Sequence, residues 1–127
     1  MQIKLVSVIV DDQEKALKFY TEVLGFVKKT EIPLGVHKWV TVVSSQAPHD
    51  VELALEANHH PAARAFQKAI FEDEIPILTF FTLNVQKECE ELVSKGVVFR
   101  VPPTQAEWGT YAVFEDTCGN LVQMHQS

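Results

Sequence analysis

The sequence predicts an α+β fold made of two tandem βαβββ modules in a single domain of 127 residues. Segments with helical and strand periodicity follow one another in the same order in the two halves of the chain. The residues that begin and end the helices repeat as well: Asp12 matches Asn84 and Gly25 matches Gly96, at offsets of 72 and 71 positions. The predicted organisation is a first module, a connection and a second module, at residues 1–57, 58–76 and 77–127.

The clearest element is a helix over residues 13–24 with both of its ends marked. Asp12 is an N-cap residue, able to accept a hydrogen bond from a free amide of the first turn. Gly25 suits the left-handed position that follows a helix. Apolar residues at helical spacing mark the face that we expect to be buried, namely Ala16, Tyr20, Val23 and Leu24. The solvated face carries Glu14, Lys15, Lys18 and Glu22.

Strands rich in β-branched residues surround this helix in the first module. They are predicted at residues 3–10, 27–31, 37–44 and 51–56, with breaks at 33–35 and 46–48. In the last of them Glu52, Ala54 and Glu56 alternate with Val51, Leu53 and Leu55. That strand is therefore expected to have one apolar face and one face that accepts polar groups.

The same pattern returns after a polar, Ala-rich connection, in which Pro61 begins a short helix at residues 62–70. A second amphipathic helix starts near Val85 and is closed by Gly96. The strands of the second module are predicted at 77–83, 97–101, 109–114 and 121–125, with turns at 102–103 and 118–120. Trp39 and Trp108, 69 positions apart, are expected at equivalent places in the two modules.

Composition and charge exclude several classes of function. The formal net charge of −6 argues against nucleic acid or an anionic membrane as partner, since both need a basic surface. The apolar run at residues 3–10 is too short to span a bilayer and lacks a cleavage site, so a cytoplasmic protein is expected. Two cysteines make no disulfide framework: Cys89 continues the apolar face of the second helix, and Cys118 falls in a turn expected to be exposed.

Several motifs together resemble the vicinal oxygen chelate superfamily of glyoxalases, bleomycin-resistance proteins and extradiol dioxygenases. They are Val-Asp-Asp at 10–12, Phe-Tyr at 19–20, Leu-Gly-Phe at 24–26, Lys-Gly-Val at 95–97 and Asp-Thr-Cys-Gly-Asn at 116–120. The last resembles the family's Asp-Pro-x-Gly-Asn turn, with Thr117 in place of proline. The resemblance implies eight strands that curl around a cleft, and a homodimer.

The resemblance also implies where a metal would be held, at positions on the first and last strands of each module. In this chain those positions are Leu5, Glu52, Ile77 and Gln123. Two aliphatic residues, one carboxylate and one amide do not make a site for Zn²⁺, Ni²⁺ or Fe²⁺. The strands that hold Leu5 and Ile77 contain no His, Asp or Glu, so a shift in register does not change this conclusion. No metal and no other cofactor is predicted.

Six residues are candidates for a ligand site in the cleft: Trp39, Glu52, Phe81, Trp108, Gln123 and His125. Glu52 is a carboxylate suited to accept hydrogen bonds or act as a general base, or else it lies on a solvated face. The two tryptophans suit stacking on a flat ligand, but core tryptophans would give the same pattern. His59 and His60 lack the spacing of metal ligands and are expected in a solvated loop. His37 opens a strand near Trp39 and is a weaker candidate of the same kind.

The leading hypothesis is a protein that binds a small aromatic or basic molecule in its cleft without chemistry, as the bleomycin-resistance branch does. The alternative is a metal-dependent glyoxalase-like lyase or isomerase, or a dioxygenase, with a divalent ion gathered by Glu52 and loop histidines. A third reading is metal-free acid/base catalysis by Glu52 alone. All three follow from the resemblance and from the chemistry of these side chains.

Overall fold

Two four-stranded mixed sheets, each with a helix on one face, form the computed structural model, which describes residues 1–127. The chain divides into two compact units, Met1–Phe66 and Gln67–Ser127. The first unit contains β1 (Leu5–Val10), α1 (Gln13–Lys18), β2 (Val27–Leu34), β3 (His37–Val43) and β4 (Glu52–Ala57). Helix α2 (Pro61–Glu72) contains the boundary. The second unit contains β5 (Leu78–Phe81), α3 (Val85–Ser94), β6 (Phe99–Ala106), β7 (Gly109–Glu115) and β8 (Leu121–Gln126).

The two sheets have the same topology, with strand orders β1-β4-β3-β2 and β5-β8-β7-β6. In each sheet the first and last strands of the module pair in parallel, and the remaining neighbours pair antiparallel. Each sheet is open, so that β1 and β2 are edges of one and β5 and β6 are edges of the other. The predicted α+β fold with two βαβββ modules is confirmed.

The core of the first unit lies between α1 and one face of its sheet. Val8, Val40 and Leu55 are almost completely buried on that face, and Ala16 and Tyr20 of the helical segment are fully buried. The N-cap is as predicted, because the Lys15 amide donates to Asp12 Oδ1 at 3.0 Å. Gly25 ends the segment with a φ of +84°, the left-handed conformation that glycine adopts without strain.

The predicted helix at 13–24 has the expected extent but not a uniform geometry. Residues Phe19–Val23 form a π-helical turn, in which the Leu24 amide donates to the Phe19 carbonyl at 3.0 Å. Phe19 and Tyr20 in this turn are both buried, three and four residues after the buried Ala16. Val23 and Leu24, which we expected in the core, are only partly buried.

In the second unit α3 repeats the features of α1. Asn84 caps it by accepting a hydrogen bond from the Lys87 amide at 3.0 Å. Val85, Cys89 and Leu92 form its buried face, which confirms Cys89 as a small core residue. Cys118 is fully buried, so the expectation of an exposed thiol was wrong.

The buried position of Cys118 follows from the turn at 116–120 folding inward onto α2. Asp116 Oδ1 accepts hydrogen bonds from the amides of Cys118 at 2.8 Å and Asn120 at 3.0 Å. The buried side-chain amide of Gln67 donates a hydrogen bond to the Cys118 carbonyl oxygen at 3.0 Å. These bonds satisfy polar groups that the turn takes out of water. Thr117 has a φ of +64° in this turn.

Two predicted strand ends were wrong, and both involve proline. We expected breaks at 33–35 and at 102–103, but β2 continues to Leu34 and β6 passes through both prolines to Ala106. Both are edge strands, where a residue without an N–H loses no sheet hydrogen bond if it faces solvent. The β6–β7 register shifts twice between Phe99 and Thr104, which accommodates Pro102 and Pro103. Helix α2 is longer than the short helix predicted at 62–70.

None of the three helices has the length and the hydropathy needed to cross a membrane.

Candidate functional site

The first unit carries Trp39 and Glu52 on the sheet face opposite the valines that pack toward α1. Successive side chains of a strand alternate between faces, so Trp39 and Thr41 share the face that Val40 does not. The Thr41 hydroxyl donates to Glu52 Oε1 at 2.9 Å, which places Glu52 on this face too. Lys29 lies 3.3 Å from Glu52 Oε2. Both oxygens of the carboxylate therefore already have partners.

These contacts determine the acidity of Glu52. The hydrogen bond from Thr41, assisted by the Lys29 ammonium, lowers the pKa of Glu52 below its ordinary value. A carboxylate with a lowered pKa is a weaker general base, so these contacts favour a fixed negative charge over proton abstraction. The catalytic role of Glu52 stays a prediction, and the lowered pKa of its carboxylate speaks against it.

The strand register identifies the residues at the positions where metal-dependent members hold their ion. Leu5 pairs with Glu52 across β1 and β4, which matches the predicted position. In the second unit Gln123 pairs with Thr79. The residue equivalent to Leu5 is therefore Thr79, and the predicted Ile77 lies two residues before it. Leu5 and Thr79 add no carboxylate or imidazole, and no group of three His, Cys, Asp or Glu residues is arranged to hold a metal ion. These residues do not fit a divalent metal site.

The second unit brings four aromatic side chains together on one face of its sheet. The ring of His125 lies 4.9 Å from the ring of Phe81 and 5.1 Å from that of Trp108, in edge-to-face arrangements. Trp108 also lies 4.9 Å from Tyr111. We call these four residues the aromatic cluster. Phe81 is 73% exposed and Trp108 is 53% exposed, so this is an accessible surface rather than part of the core.

Strand register explains how these residues meet. Phe81 of β5 and Tyr111 of β7 both pair with His125 of β8, so the three side chains form a row across the sheet. Trp108 lies in the two-residue turn between β6 and β7, whereas Trp39 lies within β3. The expectation that the two tryptophans occupy equivalent places was therefore wrong. Bulges in β6 change the count of residues between the modules.

His125 is fixed by the hairpin turn beside it. Its Nε2 lies 3.0 Å from the Trp108 carbonyl oxygen. A Cβ atom on Gly109 would lie only 2.8 Å from this nitrogen and 2.3 Å from the Gln126 carbonyl oxygen. Gly109 also has a φ of +131°, so the close approach of imidazole to backbone requires glycine here. The C-terminal strand is paired up to Gln126, so His125 is held in a strand rather than frayed.

Polar groups border the aromatic cluster. Gln123 is on the same face as His125, two residues earlier in β8, and its side-chain amide has no hydrogen-bond partner within the chain. A concavity of about 410 Å³ adjoins Trp108 at the hairpin turn. It is lined by Gln105, Ala106, Glu107, Trp108, Gly109, Thr110 and Ser127. Binding sites for small molecules commonly combine such apolar surfaces with a few polar groups.

A second concavity, also about 410 Å³, lies in the first unit where α1 begins. His37 and His59 stack at one side of it, with ring centroids 4.5 Å apart and an interplanar angle of 21°. His60 accepts a hydrogen bond from the Ala62 amide at 3.0 Å and so supports the start of α2. His59 and His60 are exposed as expected, but each has a partner that the sequence did not indicate.

Of the six candidate residues, the structure brings Phe81, Trp108 and His125 into contact and puts Gln123 on the same face of the second sheet. Trp39 and Glu52 share a face of the first sheet. Tyr111 was missed. The alternation of β7 would have pointed to it, because Tyr111 is in phase with Gly109 and Val113 on the sheet face that carries His125 and Gln123.

Comparison with known proteins decides the family. The sequence model of the Glyoxalase/Bleomycin resistance protein/Dioxygenase superfamily matches residues 2–124. The chain belongs to this superfamily. The predicted resemblance is thereby confirmed over nearly the whole chain.

The chain is similar to a curated bacterial protein and to several proteins of known structure. The uncharacterized protein YurT of Bacillus subtilis (strain 168) is 48% identical over 126 residues, which is 99% of each chain. The crystal structure of UcmS2 has a TM-score of 0.87 at 30% identity and covers 100% of this chain and 98% of its own. TnmS3, an antibiotic binding protein from Streptomyces sp. CB03234, has a TM-score of 0.78 at 32% identity, covering 99% and 95%.

Proposed function

We propose that this protein binds a small, flat, partly aromatic molecule of the antibiotic type and sequesters it without chemistry. The observation that carries the proposal is the aromatic cluster of Phe81, Trp108, Tyr111 and His125, in which Phe81 and Trp108 are exposed to solvent. Exposed rings that are not covered by the chain favour stacking with a planar ligand. The residues at the family's metal positions, Leu5, Glu52, Thr79 and Gln123, lack the ligands that metal-assisted catalysis needs. This supports binding rather than such catalysis.

The relatives support the same reading. TnmS3 is an antibiotic binding protein, and its sequence is 32% identical to this chain over almost its full length. The negative net charge of −6 suits a ligand that also carries a basic group. No cofactor and no metal is part of this proposal, and the cytoplasm is its proposed location.

Ligand binding is tested by tryptophan fluorescence, because the chain has only two tryptophans. In the variant Trp39→Phe all tryptophan emission comes from Trp108. Titration of this variant with a panel of polycyclic aromatic antibiotics and with bleomycin should quench its emission for at least one compound. The variant Trp108→Ala should bind that compound about tenfold more weakly by calorimetry, the loss expected for one aromatic stacking contact and its buried area.

Phe66→Ala is the matched control for this experiment. Phe66 is 52% exposed, much like Trp108, but it lies on α2 outside the aromatic cluster. Its replacement should leave the affinity unchanged. If no compound in the panel quenches Trp108, or if Trp108→Ala binds as tightly as the unmodified protein, stacking on this cluster is not the mode of binding.

We also propose that the protein is a homodimer formed through the outer edge of β1. That edge pairs with no strand of the chain, and Ile3, Leu5 and Val6 are exposed along it. An edge strand with unpaired backbone groups and apolar side chains is a template for a second strand. The apolar surface on both faces of this edge fits a second copy of the chain, whose own edge is identical.

A further inference from the structure

We infer that the ligand of the aromatic cluster carries a hydroxyl or N–H donor that binds the Nδ1 atom of His125. This inference rests on the proposed function and adds the chemical class of the ligand: a hydrogen-bond-donating aromatic, such as a phenol, rather than a fully alkylated ring. The observation behind it is the hydrogen bond that holds the other nitrogen of His125.

The hydrogen bond to the turn determines which nitrogen of His125 carries the proton. A backbone carbonyl only accepts, so the 3.0 Å contact between His125 Nε2 and the Trp108 oxygen requires an N–H on Nε2. In a neutral imidazole the proton on Nε2 leaves Nδ1 as a pure acceptor. This nitrogen has no partner in the chain. His125 therefore presents an acceptor among the exposed rings of Phe81 and Trp108.

The other polar groups on this face are less selective. The Tyr111 hydroxyl and the Gln123 amide also make no hydrogen bond within the chain, but each can both donate and accept. They can adapt to a ligand with or without a donor. His125 cannot, because rotating the ring would break the hydrogen bond from Nε2 to the Trp108 carbonyl oxygen. Selection for a donor thus depends on His125.

The first test needs no ligand. Long-range ¹H–¹⁵N spectra of the histidine side chains, recorded above the usual histidine pKa, distinguish the two neutral tautomers. The spectrum of His125, assigned by its loss in His125→Phe, should show the Nε2–H form. The Nδ1–H form would overturn the inference, since Nδ1 would then be a donor, and it would leave the proposed stacking function untouched.

The second test is a binding cycle with two probes, 2-naphthol and 2-methoxynaphthalene, which differ only in the hydroxyl proton and one methyl group. The unmodified protein should bind 2-naphthol about 3- to 10-fold more tightly, the range expected for one net hydrogen bond. His125→Phe keeps an aromatic ring but removes the acceptor, so this variant should bind 2-naphthol and 2-methoxynaphthalene with about equal affinity. Phe66→Ala should keep the preference.

The outcomes separate this inference from the proposed function. Equal affinity of the unmodified protein for both probes, or a preference that persists in His125→Phe, would overturn the role of His125 while stacking stands. If neither probe binds the unmodified protein and no antibiotic of the earlier panel does so either, the proposed function itself fails. If His125→Phe does not fold, the tautomer spectrum of the unmodified protein, with assignment by through-bond correlation, still decides the inference.

Discussion

Thr117 has a backbone conformation that its residue type disfavours. It lies where the family's Asp-Pro-x-Gly-Asn turn has proline, and its φ is +64°. Proline is locked near −65°, so the family residue cannot adopt the conformation seen here. A β-branched residue is strained at positive φ as well. The strain is retained because Asp116 holds the following amides of Cys118 and Asn120 in place.

Restoring the family residue should therefore destabilise this protein. Thr117→Pro should lower the free energy of unfolding by about 2–3 kcal/mol, because proline excludes the left-handed conformation. Thr117→Asn should raise it by roughly 0.5–1 kcal/mol, since asparagine tolerates positive φ without the entropy cost of glycine. Urea unfolding followed by circular dichroism measures both. A Thr117→Pro protein as stable as the unmodified one would show that the turn takes the right-handed form.

At the scale of an element, the β2–β3 hairpin is held by charges along its length. The Lys38 ammonium binds Glu31 at 2.6 Å and also binds Glu14 of α1, and Lys28 binds Glu31 at 2.8 Å. Gln13 adds neutral bonds, donating to the carbonyls of Lys38 and Leu55. The start of α1 is thus tied to two strands of its sheet by polar contacts as well as by its apolar face.

These contacts make the stability of the hairpin depend on pH. The hydrogen bonds from Lys28 and then Lys38 lower the pKa of Glu31 from 4.5 to about 2. The folded state therefore binds the Glu31 proton more weakly than the unfolded state. The stabilisation is complete above about pH 4.5 and is lost as the pH falls towards about 2.

Glu31→Gln should reveal that window. The variant should unfold at a lower urea concentration than the unmodified protein near neutral pH, and the difference should shrink to zero as the pH falls from 4.5 to about 2. Because these carboxylates are solvated, the effect should also shrink in high salt. Glu22→Gln, on the solvated face of the first helical segment, is the control without an ion pair. A difference that does not change over this pH range would assign the effect of Glu31 to something other than its charge.

At the scale of the whole molecule, the two modules share one topology but differ on the sheet faces that point away from helices α1 and α3. The first unit presents a fixed carboxylate, Glu52, beside Trp39, whereas the second presents the aromatic cluster. Parallel pairing at β1–β4 and β5–β8 is preserved in both. The polar and the aromatic candidate groups thus belong to different modules.

The proposed homodimer is tested by sedimentation velocity at micromolar concentration. The unmodified chain should sediment as a dimer of about twice 14.3 kDa. Leu5→Lys puts a charge on the outer edge of β1 and should shift the protein to monomer, since charged edge strands resist pairing. Val27→Lys is the control, because Val27 is similarly exposed but belongs to the other edge strand, β2. A monomeric unmodified protein, or a Leu5→Lys dimer, would contradict this interface.

Features that depend on neighbours in the chain were predictable from the sequence. The caps at Asp12 and Asn84 and the left-handed glycines at 25 and 96 act within one helical turn, so residue type and spacing determine them. The duplication and the family followed from these same local signals.

Features that depend on pairing between distant residues were decided only by the tertiary structure. Phe81, Tyr111 and His125 meet because three strands align in one register, and Trp108 joins them because a bulged strand shifts the hairpin turn. The π-helical turn at Phe19–Val23 was likewise not indicated by the residue spacing, which predicted a regular helix. Side chains alternate across a strand, so one bulge changes which residues share a face, and that choice is made by packing between strands.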